Sequence, residues 1–392
     1  MSLLRPCAVG VFLALALAGC SGDDPRPRGA VTPAASVAAG EGALTLVAPP
    51  GYAERGAVDQ AADWVTPFEK TTGCEVTVRT VGTAKDVRDR LAAGGYDGGL
   101  VPVEVAGELI AGDAAAPLNP DLLPVLRSIA PELRALVTVK ADEDDEDDED
   151  AKDAVYGVPN AWGADLLLYD PRAASPSSWG EVFSPQDEQR GTVLWRDSPA
   201  TLGLAALWLK ERRPKLKIED PFALTVPQLD AVADVLVEQR RNVRTVWRDG
   251  SEPVEGLATG GAKIAMADAH TLDVLLKGGR PVAEAGPREG RTGWANAWMM
   301  SATARHPGCM YRWMEWVSTP GVQRLMAEWK GVAPANGEAC GSLRPGFCTA
   351  YHVGDRSYLD SLVFARSPKQ DCEDCARWDA WTQAWTRVTT EP

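Results

Sequence analysis

Histidine is scarce in this sequence, and the local motifs of common hydrolases, nucleotide-binding enzymes and metalloenzymes are absent. The three histidines, His270, His306 and His352, belong to no HExxH arrangement. No Gly-x-Ser-x-Gly elbow, Walker loop or strand-linked GxGxxG occurs. A hydrolase whose triad assembles from distant residues stays an alternative, because triads are defined by geometry. The sequence therefore favours a protein that is not an enzyme, and it predicts no cofactor.

Basic patches interleaved with aromatic residues are also missing, which disfavours nucleic acid as a partner. The formal net charge is −15, but nine consecutive acidic residues occupy 142–150 and leave −6 for the rest of the chain. Such a run repels itself and stays solvated, so we expect a disordered surface insertion. Calcium binding is the alternative, although the spaced ligands and central glycine of an EF-hand loop are absent.

Long apolar runs are confined to the N-terminus. The stretch at 9–18 has the length of a signal-peptide core and is too short for a stable membrane span. Leu17-Ala18-Gly19-Cys20 follows and resembles the lipobox of bacterial lipoproteins, in which the cysteine takes a lipid. An ordinary secretory signal that contains a cysteine is the alternative. We expect a signal peptide at 1–19, lipidation of Cys20 and a flexible tether over 20–42.

Besides Cys20, and Cys7 within the expected signal peptide, six cysteines remain, and an even number in an exported chain predicts structural disulfides. Cys372 and Cys375 form a Cys-x-x-Cys, but no second pair at zinc-site spacing accompanies them, so a metal or redox site is the weaker interpretation. The connectivity stays open, with Cys340–Cys348 and Cys372–Cys375 as the simplest local pairs. The candidates are Cys74, Cys309, Cys340, Cys348, Cys372 and Cys375.

Hydrophobic periodicity predicts an α/β protein. Strand and helix patterns alternate in the first third of the chain, and this order indicates a parallel sheet with ligands at the carboxyl ends of its strands. The helix pattern at 58–71 contains Pro67, which predicts a kink or an early stop. The alternating segments are 43–48, 58–71, 75–81, 84–93 and 96–101.

The rest of the chain continues with both patterns, and about 350 residues beyond the tether favour two domains. Strand patterns occur at 156–169, 191–196, 262–266 and 294–301, and helix patterns at 201–212 and 226–239. Two late helical patterns are rich in tryptophan, and their spacing of three and four predicts buried faces. These are Met310, Trp313, Met314 and Val317, followed by Trp378, Trp381 and Trp385.

Several segments, in order, resemble bacterial extracellular solute-binding proteins. Phe68-Glu-Lys-Thr-Thr-Gly73 is similar to the family's opening motif, and 287–296, which reads PREGRTGWAN, is similar to a segment of the spermidine/putrescine-binding branch. Each motif is short, so the shared order carries the resemblance, which spans roughly residues 43 to 390. The other matching segments are 96–97, 157–159, 162–163, 178–179, 309–316, 333–336 and 350–352.

This resemblance implies an α/β, two-lobed type 2 periplasmic-binding-protein fold with a ligand cleft at the hinge. Lobe 1 would hold 43–158 and 294–340, including the insertion at 142–150, and lobe 2 would hold 159–293 and 341–392. Lobe closure would present the solute to an ABC permease. The implied partners are a small solute, the permease and the membrane, through the lipid. The chain would be a monomer in the periplasm or on the outer face of the cytoplasmic membrane.

A polyamine needs carboxylates for its ammonium groups and aromatic faces for its methylenes. By resemblance, Trp294 is the cleft tryptophan and Asp197 grips an amine. Asn296 stands where the polyamine branch carries an aspartate, which leaves another small solute, such as a sugar or an amino-acid derivative, as an alternative. Glu104, Asp268 and Trp162 complete the expected ligand-binding set, and Tyr52 substitutes for an aromatic residue that the first strand lacks.

Each of these residues also has a structural interpretation, because the tryptophans can pack in the core and the carboxylates can cap helices or face solvent. A cell-surface lipoprotein without a transported ligand, an adhesin or an envelope scaffold, is the alternative from a different functional class.

Overall fold

The computed structural model describes residues 32–37, 40–141, 153–365, 372 and 374–390. The predicted signal peptide, Cys20, most of the tether and the acidic run at 142–150 lie outside the described residues. Among those described, no helix combines the length and the apolar character that a membrane crossing requires. The same residues contain no cluster of histidine, cysteine and carboxylate side chains suited to a metal ion.

The strands form two main sheets. In chain order they are β1 Ala43–Ala48, β2 Glu75–Thr80, β3 Gly98–Pro102, β4 Thr138–Val139, β5 Ala154–Val155, β6 Gly157–Ala164, β7 Leu166–Tyr169, β8 Val193–Arg196, β9 Val243–Trp247, β10 Ile264–Ala267, β11 Ala283–Ala285, β12 Arg291–Met300, β13 Ala333–Pro334 and β14 Leu362–Phe364. The first sheet has the order β13-β6-β12-β3-β1-β2, with β14 paired to β12. The second has the order β11-β7-β10-β8-β9, and β4 pairs with β5 separately.

Helices cover both sheets. In chain order they are α1 Val65–Thr72, α2 Ala84–Ala93, α3 Val103–Ala111, α4 Pro131–Arg134, α5 Gly180–Phe183, α6 Ala200–Arg212, α7 Val226–Gln239, α8 Ser251–Ala258, α9 Ala269–Lys277, α10 Pro307–Val317, α11 Pro320–Lys330, α12 Phe347–Ala350, α13 Arg356–Asp360 and α14 Trp378–Thr390. Short 3-10 turns occupy Pro120–Leu122, Pro124–Ser128, Ala135–Val137, Asp187–Gln189, Pro214–Leu216, Arg240–Asn242 and Gly337–Gly341.

The start of the first sheet is parallel, as the alternating pattern predicts. β1 pairs in parallel with both β2 and β3. The helix expected over 58–71 is shorter, because α1 begins at Val65, and Val58 is exposed. Pro67 lies in the first turn of α1, where its missing N–H costs no helical hydrogen bond. The expected kink or stop at Pro67 is therefore wrong.

The chain crosses between the sheets twice. It leaves the first sheet at the end of β6 and enters the second at β7, with Asp165 as the single residue between them. It returns between β11 and β12, and β12 runs antiparallel between β6 and β3. We refer to the part built on the first sheet as lobe 1 and to the part built on the second as lobe 2. These crossings lie a few residues from the boundaries expected at 158 and 293. β14 pairs with β12 in the first sheet, although 341–392 was expected in lobe 2, and the full extent of each lobe stays a prediction.

The tryptophan-rich helices are core elements, as predicted. Trp313 of α10 is fully buried and packs edge-on against Phe68 of α1, with ring centroids 5.1 Å apart, and against Trp298 of β12 at 5.4 Å. In α14, Trp378 and Trp381 are buried, and Trp381 stacks on Phe222 of lobe 2. Aromatic packing of this kind stabilises both lobes through buried apolar area.

The six cysteines pair as three disulfides. Cys340–Cys348 and Cys372–Cys375 are the two local pairs that the spacing favours. The third, Cys74–Cys309, joins residues 235 positions apart and ties the start of β2 to α10 within lobe 1. A bond that closes so long a loop removes many conformations from the unfolded chain.

Arg88 of α2 fastens the C-terminal helix to lobe 1. Its guanidinium donates to Glu108 of α3 at 2.6 Å and to Asp379 of α14 at 2.7 Å. Glu108 also accepts the backbone N–H of Trp378 at 2.8 Å, and the side chains of Arg88 and Glu108 are only about a tenth exposed. The remainder of α14 packs on α6 and α7 of lobe 2. These buried charges therefore hold a helix that spans the two lobes.

We expect Arg88→Met to lower the free energy of unfolding by about 3 kcal/mol, because Glu108 would stay buried without its cation. Lys85→Met is the matched control on the same helix, since Lys85 pairs with Asp89 in an exposed ion pair that contributes little. Urea unfolding of both variants measures the difference. Equal losses in the two variants would show that the buried pair has no special weight.

Candidate functional site

A cavity of about 200 Å³ lies between the two lobes. It opens where β3 ends at Pro102 and β8 ends at Arg196, which are the carboxyl ends of strands in both sheets. Ligands in α/β sheets bind at this end, so the location agrees with the expectation from sequence. The lining residues are Pro102, Glu104, Asp165, Arg196, Ser198, Ala200, Thr201, Phe222, Met266, Gly293, Trp294, Ala295, Asn296 and Ala365.

Trp294 and Asn296 reach the cavity from the same face of β12. Strand residues alternate between faces, so these two share one face and Ala295 points the other way. Across the ladder, Trp294 pairs with Gly163 of β6. A Cβ at position 163 would come within 2.6 Å of the indole ring, so glycine is required for the ring to lie there.

Trp162 lies on the opposite face of the first sheet. It pairs with Ala295, so alternation places its side chain away from Trp294. It is buried and lines a separate cavity of about 280 Å³, together with Ile129 and Leu133. The interlobe cavity therefore does not include this tryptophan, although it is one of the expected ligand-binding residues.

Asn296 is buried and held by its surroundings. Its Oδ1 accepts the backbone N–H of Ala161 at 3.2 Å. The hydroxyl of Tyr52 hydrogen-bonds to the same side chain, and burial raises the pKa of Tyr52 to about 12. Tyr52 thus lies beside Asn296 without lining the cavity.

Two carboxylates line the cavity. Glu104 stands in the first turn of α3, and burial, reinforced by the negative charge of Asp165, raises its pKa to about 7. Burial also raises the pKa of Asp165, while Arg196 opposes that shift. Asp165 accepts the Thr292 hydroxyl at 2.7 Å. At neutral pH the lining therefore carries a carboxyl group that is close to its titration point.

Arg196 is the cation of the cavity lining. Its Nη1 lies 2.8 Å from Asp165 Oδ1, and its Nη2 lies 3.4 Å from Asp268 Oδ2. The guanidinium carbon lies 4.9 Å from the ring centroid of Trp247. Asp268 itself caps α9 by accepting the N–H of Thr271 at 2.9 Å, so it touches the site through Arg196 and does not line the cavity.

Asp197 faces away from the cavity. It accepts the indole N–H of Trp385 at 2.6 Å and forms an ion pair with Arg248. The interpretation of Asp197 as a helix cap does not fit either, because α6 begins at Ala200 without a side-chain cap. Asp197 instead fastens α14 to lobe 2.

Among the residues expected from sequence, the structure brings Glu104, Trp294 and Asn296 together and leaves Asp197, Asp268 and Trp162 outside the cavity. Sequence reasoning missed Asp165 and Arg196. Asp165 follows the hydrophobic strand pattern that ends at Ala164, and Arg196 follows the one that ends at Trp195. A charged residue directly after such a pattern was the available signal.

Comparisons with known proteins agree with this architecture. Residues 63–340 match the family described as bacterial extracellular solute-binding protein. The chain belongs to this family. The putrescine-binding periplasmic protein PotF of Escherichia coli is 24% identical over 84% of this chain and 88% of its own length. The putrescine/agmatine-binding protein of Pseudomonas aeruginosa is 22% identical over 70% of this chain and 76% of its own length.

Solved structures confirm the fold of this solute-binding protein. A structure from Listeria monocytogenes, described as a spermidine/putrescine ABC transporter, superposes with a TM-score of 0.68 at 17% identity. The match covers 90% of this chain and all of the other. The two-lobed type 2 periplasmic-binding-protein fold expected from the sequence is therefore confirmed.

The raised pKa of Glu104 predicts a pH-dependent stability. The folded protein retains the Glu104 proton up to about pH 7, whereas the unfolded chain releases it near 4.5. The contribution of Glu104 to stability is therefore present below about pH 4.5 and is lost as the pH rises through 7. We expect Glu104→Gln to be roughly 2 kcal/mol more stable than the parent at pH 8 and nearly equal to it at pH 5.

Urea unfolding at the two pH values measures this difference. Glu75→Gln is the control, because Glu75 is exposed on β2 and far from the cavity. Parallel pH profiles for the parent and Glu104→Gln would contradict the assignment of a buried, neutral Glu104.

Proposed function

We propose that this chain is the lipid-anchored solute-binding component of an ABC importer for short amine cations of the polyamine class. It binds its ligand between the lobes and catalyses no reaction. The observation that carries the proposal is the interlobe cavity, which Glu104, Asp165 and Trp294 line together. Carboxylates and an aromatic face are the groups that recognise an alkyl ammonium ion.

The electrostatics of the cavity support a cationic ligand. Burying Glu104 and Asp165 costs free energy, which the raised pKa values of both groups report. A bound ammonium would offset that cost and favour the ionised form of Glu104. A neutral sugar would bring no charge to offset that cost.

The size of the cavity favours a short ligand. Its volume of about 200 Å³ lies below the roughly 300–1,000 Å³ of typical small-molecule sites. A short amine therefore suits this volume. The relatives named for putrescine and for putrescine/agmatine support the same choice of ligand class.

A thermal-shift screen of the soluble body, starting after the tether, tests the ligand class. Short amines should raise the melting temperature, since a ligand at about 100 times its Kd stabilises by about 2.7 kcal/mol. Glucose and glutamate serve as neutral and acidic comparisons. A shift with either of these and none with amines would remove the proposal.

Trp294→Leu should weaken amine binding by about 1–2 kcal/mol, because leucine lacks the π face that attracts the ammonium. Trp162→Leu is the matched control from the opposite face of the same sheet. It should lower stability without changing affinity by more than about twofold. Calorimetric titration of both folded variants measures the contrast. Equal affinity losses would place Trp294 outside the ligand site.

Lipid anchoring is tested at Cys20. We expect Cys20→Ser to leave the folded body intact and to release it from membranes or to accumulate as an uncleaved precursor. Fractionation of cells followed by immunoblotting measures both outcomes. A mature-sized variant that still sediments with membranes would show that another anchor exists.

A further inference from the structure

Arg196 is fixed in the cavity wall. Its side chain is 18% exposed and is held on two sides by Asp165 and Asp268, with the ring of Trp247 against the guanidinium. Asp165 is held in turn by the hydroxyl of Thr292. The guanidinium therefore cannot rotate out into solvent, as that of a surface arginine could.

The charge count of the lining follows from this arrangement. Glu104 and Asp165 contribute two negative charges when ionised, and Arg196 contributes one positive charge. Asp268 does not line the cavity: its Oδ1 caps α9, and its Oδ2 lies 3.4 Å from Arg196 Nη2. The three charged residues that line the cavity thus carry one surplus negative charge, which one ammonium group neutralises.

In the described part of the chain, two buried donors in the lining lack acceptors, and one buried acceptor, Asp165 Oδ1, has no hydrogen bond besides its ion pair with Arg196. Neither Arg196 Nε nor Trp294 Nε1 has a hydrogen-bond partner among the described residues. A buried donor without an acceptor is costly, and an occupant with an oxygen atom would remove that cost. An ammonium group would not, because it also donates hydrogen bonds.

We propose that Arg196 acts as a built-in cation that selects ligands with one ammonium group and an uncharged, oxygen-bearing far end over diamines. This inference rests on the proposed function of the cavity as an amine site. A second ammonium in so small a cavity would lie close to the guanidinium, and like charges repel strongly at short range in a partly desolvated site. An amide oxygen at the same place would accept from the unpaired donors.

Three probes with a four-carbon chain separate charge from hydrogen bonding: putrescine, N-acetylputrescine and butylamine. Calorimetric titrations at pH 8 keep Glu104 ionised. We expect N-acetylputrescine to bind the parent protein at least tenfold more tightly than either of the others. Tightest binding by putrescine would overturn the inference while leaving the amine receptor in place. Absence of binding by all three would remove the proposed function, and the inference with it.

Arg196→Met removes the charge and keeps the length of the side chain, and Arg196→Lys keeps the charge. We expect Arg196→Met to shift the ratio of the affinities for N-acetylputrescine and putrescine at least tenfold in favour of putrescine. Arg196→Lys should keep the ratio of the parent protein. A merely structural role would weaken all three ligands equally and leave the ratio unchanged, which would contradict the inference.

Arg196→Met leaves Asp165 buried without its partner, and the variant can fail to fold for that reason. The double variant Asp165→Asn with Arg196→Met removes both charges together and keeps the surplus negative charge of Glu104. It should also lose the discrimination against putrescine. Retention of the parent ratio in this folded double variant would overturn the inference.

Discussion

The cavity depends on Asp165, the only residue between β6 and β7 at the first of the two crossings between the sheets. Asp165 separates β6 from β7, its backbone N–H donates to Thr292 O at 2.9 Å, and its side chain accepts from the hydroxyl of the same threonine. Its other carboxylate oxygen meets Arg196 of lobe 2. One residue thus binds β12 of lobe 1 and β8 of lobe 2 at the same point. Because one residue spans this crossing, the positions of the cavity walls on both lobes depend on the position of Asp165.

Burial makes the two carboxyl groups of the cavity costly to ionise, and this cost bears on the proposed ligand. Buried carboxylates lose hydration, and the raised pKa values of Glu104 and Asp165 express that loss. A site that is unfavourable when empty gains more from an occupant of opposite charge. In the proposed amine site, Arg196 would limit that gain by neutralising part of the charge, so the residue that pairs with Asp165 would also select among cations.

The rest of the molecule holds the two lobes in register around this site. Within lobe 1, the Cys74–Cys309 disulfide joins distant parts of the chain. Helix α14 is fastened to lobe 1 through Arg88 and Glu108 and to lobe 2 through Trp385 and Asp197. Any movement of one lobe relative to the other must therefore be accommodated by α14 as well as by the crossings at the hinge.

Periodicity and local spacing in the sequence determined the parallel β1–β3 start, the bounds of α7, the buried tryptophan helices and the two local disulfides. These features depend on residues that are close in the chain. The resemblance identified the fold, and the strand pattern at 294–301 placed Trp294 and Asn296 on one strand. Sequence alone did not decide which face of β6 carries Trp162, where Asp197 points, or that Asp165 meets Arg196. A shift of one residue reverses a strand face, and contacts between strands of different lobes form only when the sheets pack. The tertiary structure therefore decided the charge of the cavity.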